Sequence, residues 1–217
     1  MAGLVGALVN LTSLAKVTAR NETIIKLYRR LFHCSALSLD RQYWTMCGPC
    51  TTDGRPDYRS EVGQLITSKL IAPSQWRGVE HQAAIQRSNQ RGYPGLIWIC
   101  DDFYRAMSIA FFKGNFRPGI VNADLIQEPK AGALLIADTL ALLNRVEPPL
   151  MLVANFVLKL WRGKRKNQLS VLKYLRQEVS DIGDWRLYSE WFSYRNGRTR
   201  MGTFILYRKR RARRILA

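Results

Sequence analysis

Residues 75–103 read QWRGVEHQAAIQRSNQRGYPGLIWICDDF. Gln75–Val79 is a short strand-like run that ends at the acidic Glu80. His81–Gln90 is polar and helical in pattern, with Ala83, Ala84 and Ile85 as its expected inner face. Gly92, Pro94 and Gly95 then form a turn. Leu96–Cys100 is continuously apolar, as in a strand buried on both faces, and it stops at Asp101-Asp102. Strand, helix and strand in this order make a βαβ unit, which places its two strands in parallel.

The alternation continues on both sides of this stretch. Upstream, Asn21–Phe32 places Ile24, Leu27, Tyr28 and Leu31 on one helix face. Gln42–Cys47 reads as a strand, Gly48–Asp57 as a loop, and Tyr58–Leu70 as a helix with Val62, Leu65, Ile66 and Leu70 inward. Downstream, Phe103–Phe112 is a helix, Pro118–Asn122 a strand, Ala131–Leu143 an apolar helix and Pro149–Val157 a buried strand. Gln168–Val179 is again helical. The pattern then changes to two strands, Arg186–Ser193 and Thr203–Tyr207, around a loop containing Asn196-Gly197, a hairpin signal. The expected fold is α/β: a doubly wound, mostly parallel sheet closed by a C-terminal antiparallel hairpin. Residues 1–40 are expected as an N-terminal helical extension, 41–208 as the Rossmann-like domain and 209–217 as a basic tail.

With 47% hydrophobic residues, six Trp, nine Tyr and eight Phe, the 217-residue chain can bury a full core, which excludes a disordered chain. The apolar run Leu150–Trp161 is interrupted by Asn155 and Lys159 and is too short to cross a bilayer. The start of the chain lacks the basic residues that open a secretory signal, so a cytoplasmic protein with reduced thiols is expected. Cys47-Gly48-Pro49-Cys50 has redox spacing, but a turn-rich stretch follows it where a reactive cysteine needs a helix start. A zinc site from Cys34, Cys47, Cys50 and a histidine lacks a second close ligand pair, so no metal is expected.

Thirty-four Lys and Arg against sixteen Asp and Glu give a net charge of +18. Such a chain repels itself unless a polyanion or salt screens it, and clustered cations gain from counterion release on phosphates. An anionic membrane surface is the rival partner. Three clusters stand out. Arg162, Lys164, Arg165 and Lys166 follow Lys159, Arg198 and Arg200 flank the hairpin loop with Arg195, and Arg208, Lys209, Arg210 and Arg211 open the tail. Trp161, Trp191 and Tyr194 lie among them, where they allow stacking on bases. The plain alternative is aromatic core and a solvated face.

In open parallel sheets ligands bind beyond the carboxyl ends of the strands. The residues expected there are Cys47 and Gly48, Glu80, Asp101 and Asp102, and Asn122 and Asp124. With the closing hairpin 185–207, this order resembles the class I S-adenosylmethionine-dependent methyltransferases over roughly Gln42 to Arg208. The resemblance implies S-adenosylmethionine as cofactor. It implies that Glu80 takes the ribose hydroxyls, which suits a carboxylate that accepts two hydrogen bonds. It implies that Asp101-Asp102, Asp102 above all, receive the adenine amino group, with Phe103 or Ile99 against the ring. Cys47-Gly48-Pro49-Cys50 stands at the family's glycine-rich loop. Asn122-Ala123-Asp124-Leu125 stands where nucleic-acid amino methyltransferases carry Asp or Asn, two prolines and an aromatic. Asn122 and Asp124 are thus the candidate catalytic pair. Each residue has a plainer reading: Glu80 as a helix-start charge, Asp102 as an N-cap, Asn122 as a turn residue, Cys100 as inert core. The expected function is methyl transfer to nucleic acid. The alternatives are a non-catalytic nucleic-acid-binding protein on this fold, and a small-molecule methyltransferase or another Rossmann-like enzyme.

Overall fold

The computed structural model of the protein describes residues 24–34, 37–46, 48–52, 55–58, 60–67, 69–125, 129–159, 177, 184–188, 192–196 and 199–209. The first strand, β1 (Gln42–Met46), sends Tyr43 and Thr45 to one face of the sheet and Trp44 to the other; all three are buried. After it comes a small hairpin, β2 (Thr51–Thr52) and β3 (Arg55–Pro56), separate from the main sheet and inside the stretch expected as plain loop. The main sheet continues with β4 (Trp76–Val79), β5 (Ile97–Ile99), β6 (Pro118–Leu125) and β7 (Leu150–Lys159). It closes with β8 (Arg186–Leu187), β9 (Phe192–Asn196) and β10 (Thr199–Arg208).

The strand order is β5-β4-β1-β6-β7-β10-β8, with β9 also on β10. The first five strands are parallel. β10 runs antiparallel to β7, and β8 and β9 pair with successive parts of its other edge. The expected C-terminal hairpin is therefore present as β9 and β10, and the last described strand lies inside the sheet. Two expectations change. Leu96–Cys100 is an outer strand, not a doubly covered one: Ile97 is 45% exposed, and Cys100 is exposed too. β6 runs three residues beyond Asn122, so Asn122 lies inside the strand.

Helices cover both faces. Helix α1 (residues 24–32) and α2 (Glu61–Thr67) pack on the face that carries Tyr43, Ile120, Val153 and Ile205. The α1 stretch, drawn from the sequence as part of an extension, puts Ile24, Leu27, Tyr28 and Leu31 into that core. Next in the chain is α3 (Ala83–Gly92), whose buried residue is Asn89; Ala83 and Ala84 are exposed and not the inner face. On the other face, α4 (Phe103–Phe112) and α5 (Pro129–Leu143) bring Met107, Ile136 and Leu140 against Trp44, Val121 and Leu152. The helix expected over 168–179 lies outside the described residues, apart from residue 177.

Aromatic rings run along the first of these faces. Tyr43 stacks on its register partner Trp76 with centroids 5.7 Å apart, and Trp76 meets Trp98 edge-on at 5.7 Å. Gly78 makes room for the second pair, since a β-carbon there would lie 2.6 Å from the Trp98 ring. Gly63 serves α2 in the same way. Ser60 caps that helix, its Oγ accepting from Gly63 N–H at 3.1 Å. A β-carbon on Gly63 would stand 2.6 Å from the Asp57 carbonyl and the Tyr58 Cα, both backbone atoms that cannot swing aside. A glycine-to-alanine change in a helix ordinarily stabilises. Gly63→Ala is expected to do the reverse, lowering stability by about 2 kcal/mol in urea denaturation through overpacking.

Candidate active site

β1 pairs with β4 on one side and β6 on the other, so the strand order reverses at β1, and the carboxyl end of such a switch point is where open α/β sheets take ligands. Three adjacent strands, β1, β4 and β5, deliver Gly48, Glu80 and Asp101-Asp102 to this end of the sheet. Neighbouring strands lie about 4.8 Å apart, so these groups form a row spanning roughly 10 Å. Cys47 lies outside the described residues.

The loop after β1 is held from below by α3. Asn89, wholly buried, donates from Nδ2 to the Gly48 carbonyl at 3.1 Å and accepts from Cys50 N–H at 2.8 Å. One turn face further, Ser88 and Thr51 share a hydroxyl contact at 2.7 Å. Tyr93 donates its phenol to the Asp57 carbonyl at 3.0 Å, and burial pushes that phenol up to about 12, so it remains a donor at all ordinary pH. Above the loop, Gly48 is exposed, and a β-carbon on it would meet nothing within 4 Å. The loop is thus fixed on its inner side and open on the side where a ligand would approach backbone. Asn89→Ala is expected to cost about 1–3 kcal/mol, because it leaves the buried Cys50 N–H unpaired and takes the amide donor from Gly48 O. Hydrogen exchange should show faster exchange at Cys50 and its neighbours.

Glu80 directly follows β4, its N–H donating to Ile99 O at 3.0 Å and so extending the pairing with β5. Its side chain is 6% exposed. Oε1 accepts from Gln82 N–H at 2.8 Å and lies 3.2 Å from His81 Nδ1. Desolvation raises its pKa above the ordinary glutamate value, against the opposing pull of these donors. A raised folded-state pKa means that the ionised form is the less stable one in the fold. The associated stability is present below the unfolded-state pKa of about 4.3 and is lost as pH rises through the folded value. Glu80→Gln should therefore raise the melting temperature at neutral pH, with the difference closing as pH falls to about 4.

Asp102 caps α4, with Oδ1 accepting from Arg105 N–H at 3.0 Å. The plainer of its two readings thus holds as geometry, and the carboxylate stays exposed at the mouth of the row. Asp101, partly buried, accepts from Asp102 N–H at 2.8 Å and faces Arg105 Nε at 3.6 Å. Phe103 departs from expectation. Its ring is buried in the core with Met107 and Val79, because it is the first inward position of α4, so the ring is not available to a ligand. The half-buried Ile99 is the apolar group left beside the carboxylates.

Asn122 and Asp124 occupy the face of β6 that looks toward α2. Asn122 is wholly buried, which corrects its expected place at a strand end. Its Nδ2 donates to Glu61 Oε1 at 2.8 Å, and its Oδ1 accepts from Asn155 Nδ2 at 3.0 Å. Thr203 donates onward to Asn155 Oδ1 at 2.5 Å. At the other end Glu61 also accepts from Tyr43 OH at 2.5 Å and from Thr45 Oγ1 at 3.3 Å. Reading the sequence missed Glu61 and Asn155. The available signal was a carboxylate next to a helix cap in an otherwise apolar helix, and an Asn inside an apolar strand. Asp124 lies two residues nearer the open end, half-buried, with Asn155 as its register partner on β7. Among the described residues no group of three His, Cys, Asp or Glu is placed to hold a metal ion, and no helix is long and apolar enough to cross a membrane.

Strand register separates the basic clusters. Arg200 pairs with Lys159 at the carboxyl end of β7, the end that carries the row of carboxylates. Arg208 pairs with Leu150 at the opposite end. Eight residues at about 3.4 Å each put the two ends roughly 27 Å apart. Arg162, Lys164, Arg165, Lys166, Arg198, Arg210 and Arg211 lie outside the described residues.

No known family model matches the sequence, and no curated protein matches it either. Solved structures do match. The plantazolicin methyltransferase BpumL, in complex with a triazolic desmethylPZN analog and SAH, superposes with a TM-score of 0.58 at 9% identity, over 94% of this chain and 90% of that one. Cofactor-bound Rv0187 from MTB gives 0.51 at 8% identity, over 94% and 88%. The chain has the class I methyltransferase fold. TrmN from Thermus thermophilus shares this methyltransferase fold at a TM-score of 0.51 and 12% identity, with 90% of this chain covered. The chain spans 52% of TrmN's length, and 39% of a protein encoded within an E. coli prophage that matches with a TM-score of 0.40. The parallel run β5-β4-β1-β6-β7 and the reversed β10 are what the methyltransferase fold consists of here.

Proposed function

We propose that this protein is an S-adenosylmethionine-dependent methyltransferase that acts on nucleic acid. The observation that carries the reading is the open flank of Gly48 in line with Glu80 and Asp101-Asp102, at the carboxyl ends of three adjacent strands of a methyltransferase fold. Gly48 and the neighbouring Cys47 let backbone approach the cofactor. Glu80 accepts from the ribose hydroxyls, with one oxygen already oriented by the Gln82 N–H. Asp101 and Asp102 receive the adenine amino group beside Ile99. The cofactor supplies an activated methyl group, and the protein's task is to position the acceptor atom in line with it. Asp124 is the group that meets the target. Asn122 acts behind it, orienting that edge of the sheet through Glu61 and Asn155.

The charge of +18 supports a polyanionic target. Lys159, Arg195 and Arg200 belong to the same end of the sheet as the carboxylate row and would hold the phosphates near the reacting base. The second reading, a nucleic-acid-binding protein without catalysis, is favoured by one observation: Asp102 and one oxygen of Glu80 already serve their own turns.

Gly48→Val separates the readings. The added side chain enters space that nothing in the protein fills, so thermal stability should be unchanged. In calorimetric titration the parent should bind S-adenosylmethionine and S-adenosylhomocysteine, and the variant should bind both at least tenfold more weakly. The parent should also transfer a labelled methyl group into nucleic acid, and the variant should not. A folded parent that binds nucleic acid but neither cofactor form establishes the non-catalytic reading instead.

A further inference from the structure

The end of the sheet where the parallel strands begin carries cations for which methyl transfer at the other end has no use. α4 finishes there in Phe111 and Phe112 with Lys113 next, and the chain re-enters the sheet through Arg117. α5 finishes beside it and is followed by Asn144 and Arg145. β10 arrives antiparallel and delivers Arg208 and Lys209. Contacts join the ends of α4, α5 and β10. Arg208 donates to the Asn144 carbonyl and to its Oδ1, each at 3.0 Å, and also to the Val146 carbonyl. The Arg145 guanidinium stands 5.9 Å from the Phe111 ring, and Phe111 meets Phe112 edge-on at 5.8 Å.

Phe112 is 81% exposed, an unusual position for a ring that the core could have taken. Lys113, Arg117, Arg145 and Lys209 are exposed as well. The acidic groups at this end are Asp40, which accepts from Ser38, lies 3.9 Å from Arg41 and also faces Arg117; the exposed Glu147, two residues from Arg145; and the exposed Asp184, which faces Arg208. A bare ring flanked by long cations is the arrangement that stacks on a base while neutralising the phosphates on either side.

We propose that this face is a second nucleic-acid contact, which grips an unpaired stretch of the chain outside the segment that reacts. The proposal rests on the nucleic-acid reading above. Phe112 stacks on a base, and Lys113, Arg117 and Arg145 take adjacent phosphates. The two contacts lie roughly 27 Å apart along β10, so only a long ligand reaches both.

The test is fluorescence anisotropy with oligothymidylates of about four and about thirty nucleotides, over a range of salt. The parent should prefer the long oligomer by at least tenfold. Replacing Lys113, Arg117 and Arg145 together by Gln should make the salt slope for the long oligomer shallower by about 2, at about 0.7 per phosphate contact on single strands. Phe112→Ala should weaken long-oligomer binding roughly tenfold at unchanged slope, and Phe112→Tyr should restore it. All these side chains are exposed, and thermal unfolding checks that the variants keep the fold. A parent that binds both lengths, with every variant indistinguishable from it, overturns this inference and leaves the nucleic-acid reading standing. Variants that lose binding to phosphatidylserine vesicles but keep oligomer binding overturn it too. A parent that binds no oligomer even at low salt overturns both.

Discussion

Glu61 lies between α2 and the sheet with its carboxylate turned inward, 8% exposed, and accepts hydrogen bonds from Tyr43, Thr45 and Asn122. Removing a carboxylate from water costs several kcal/mol unless donors replace the lost solvent. Here the donors come from β1 and β6, and the chain of bonds runs on through Asn155 of β7 to Thr203 of β10. Four strands are thereby tied at one level on one face. A slip of one residue in any of them would turn its polar group to the opposite face and leave the others unpaired inside the protein. The apolar core gives the sheet its stability, and this row gives it its register.

The same economy appears at the loop after β1. Glycine-rich loops reach a ligand closely because they carry no side chains. This loop has Gly48 and otherwise Pro49 and two cysteines, and its shape comes from Asn89 beneath it. The order of that loop is imported from α3, a helix that contributes little apolar surface. The carboxylates Glu80, Asp101 and Asp102 gather at this end of the sheet, where Lys159 and Arg200 also lie on the neighbouring strands, and further exposed cations gather at the other. A polyanion is therefore drawn to the protein as a whole, while the carboxylates hold it off the part of the rim that they occupy.

Much of this was legible in the sequence. The bounds Phe103–Phe112 are legible in the sequence, with Asp102 available as the capping residue. The βαβ order and the final hairpin followed from apolar periodicity and from Asn196-Gly197. What escaped was whatever depends on lateral neighbours. Leu96–Cys100 has the composition of a central strand, and only the strand order makes it an edge. Asn122 and Asn155 look like chain breaks in apolar runs, and only their pairing across the sheet shows them to be partners. Asn89 sits in a polar helix where no periodicity marks it. Phe103 adjoins an Asp and so reads as a ligand contact, whereas helix geometry turns its ring to the core.

β10 supplies Phe204 and Leu206 to the core on one face of the sheet and Ile205 to the core on the other. It inserts between β7 and the two short strands that precede it in the chain. Every other described strand is made before it. During synthesis, then, β7 waits with a bare edge, and both cores stay open on that side until β10 has been made. Domains usually fold as units while the chain emerges. Here the sheet is completed by the last of the described strands, and the exposed β7 edge is what a chaperone would have to shield until that strand arrives.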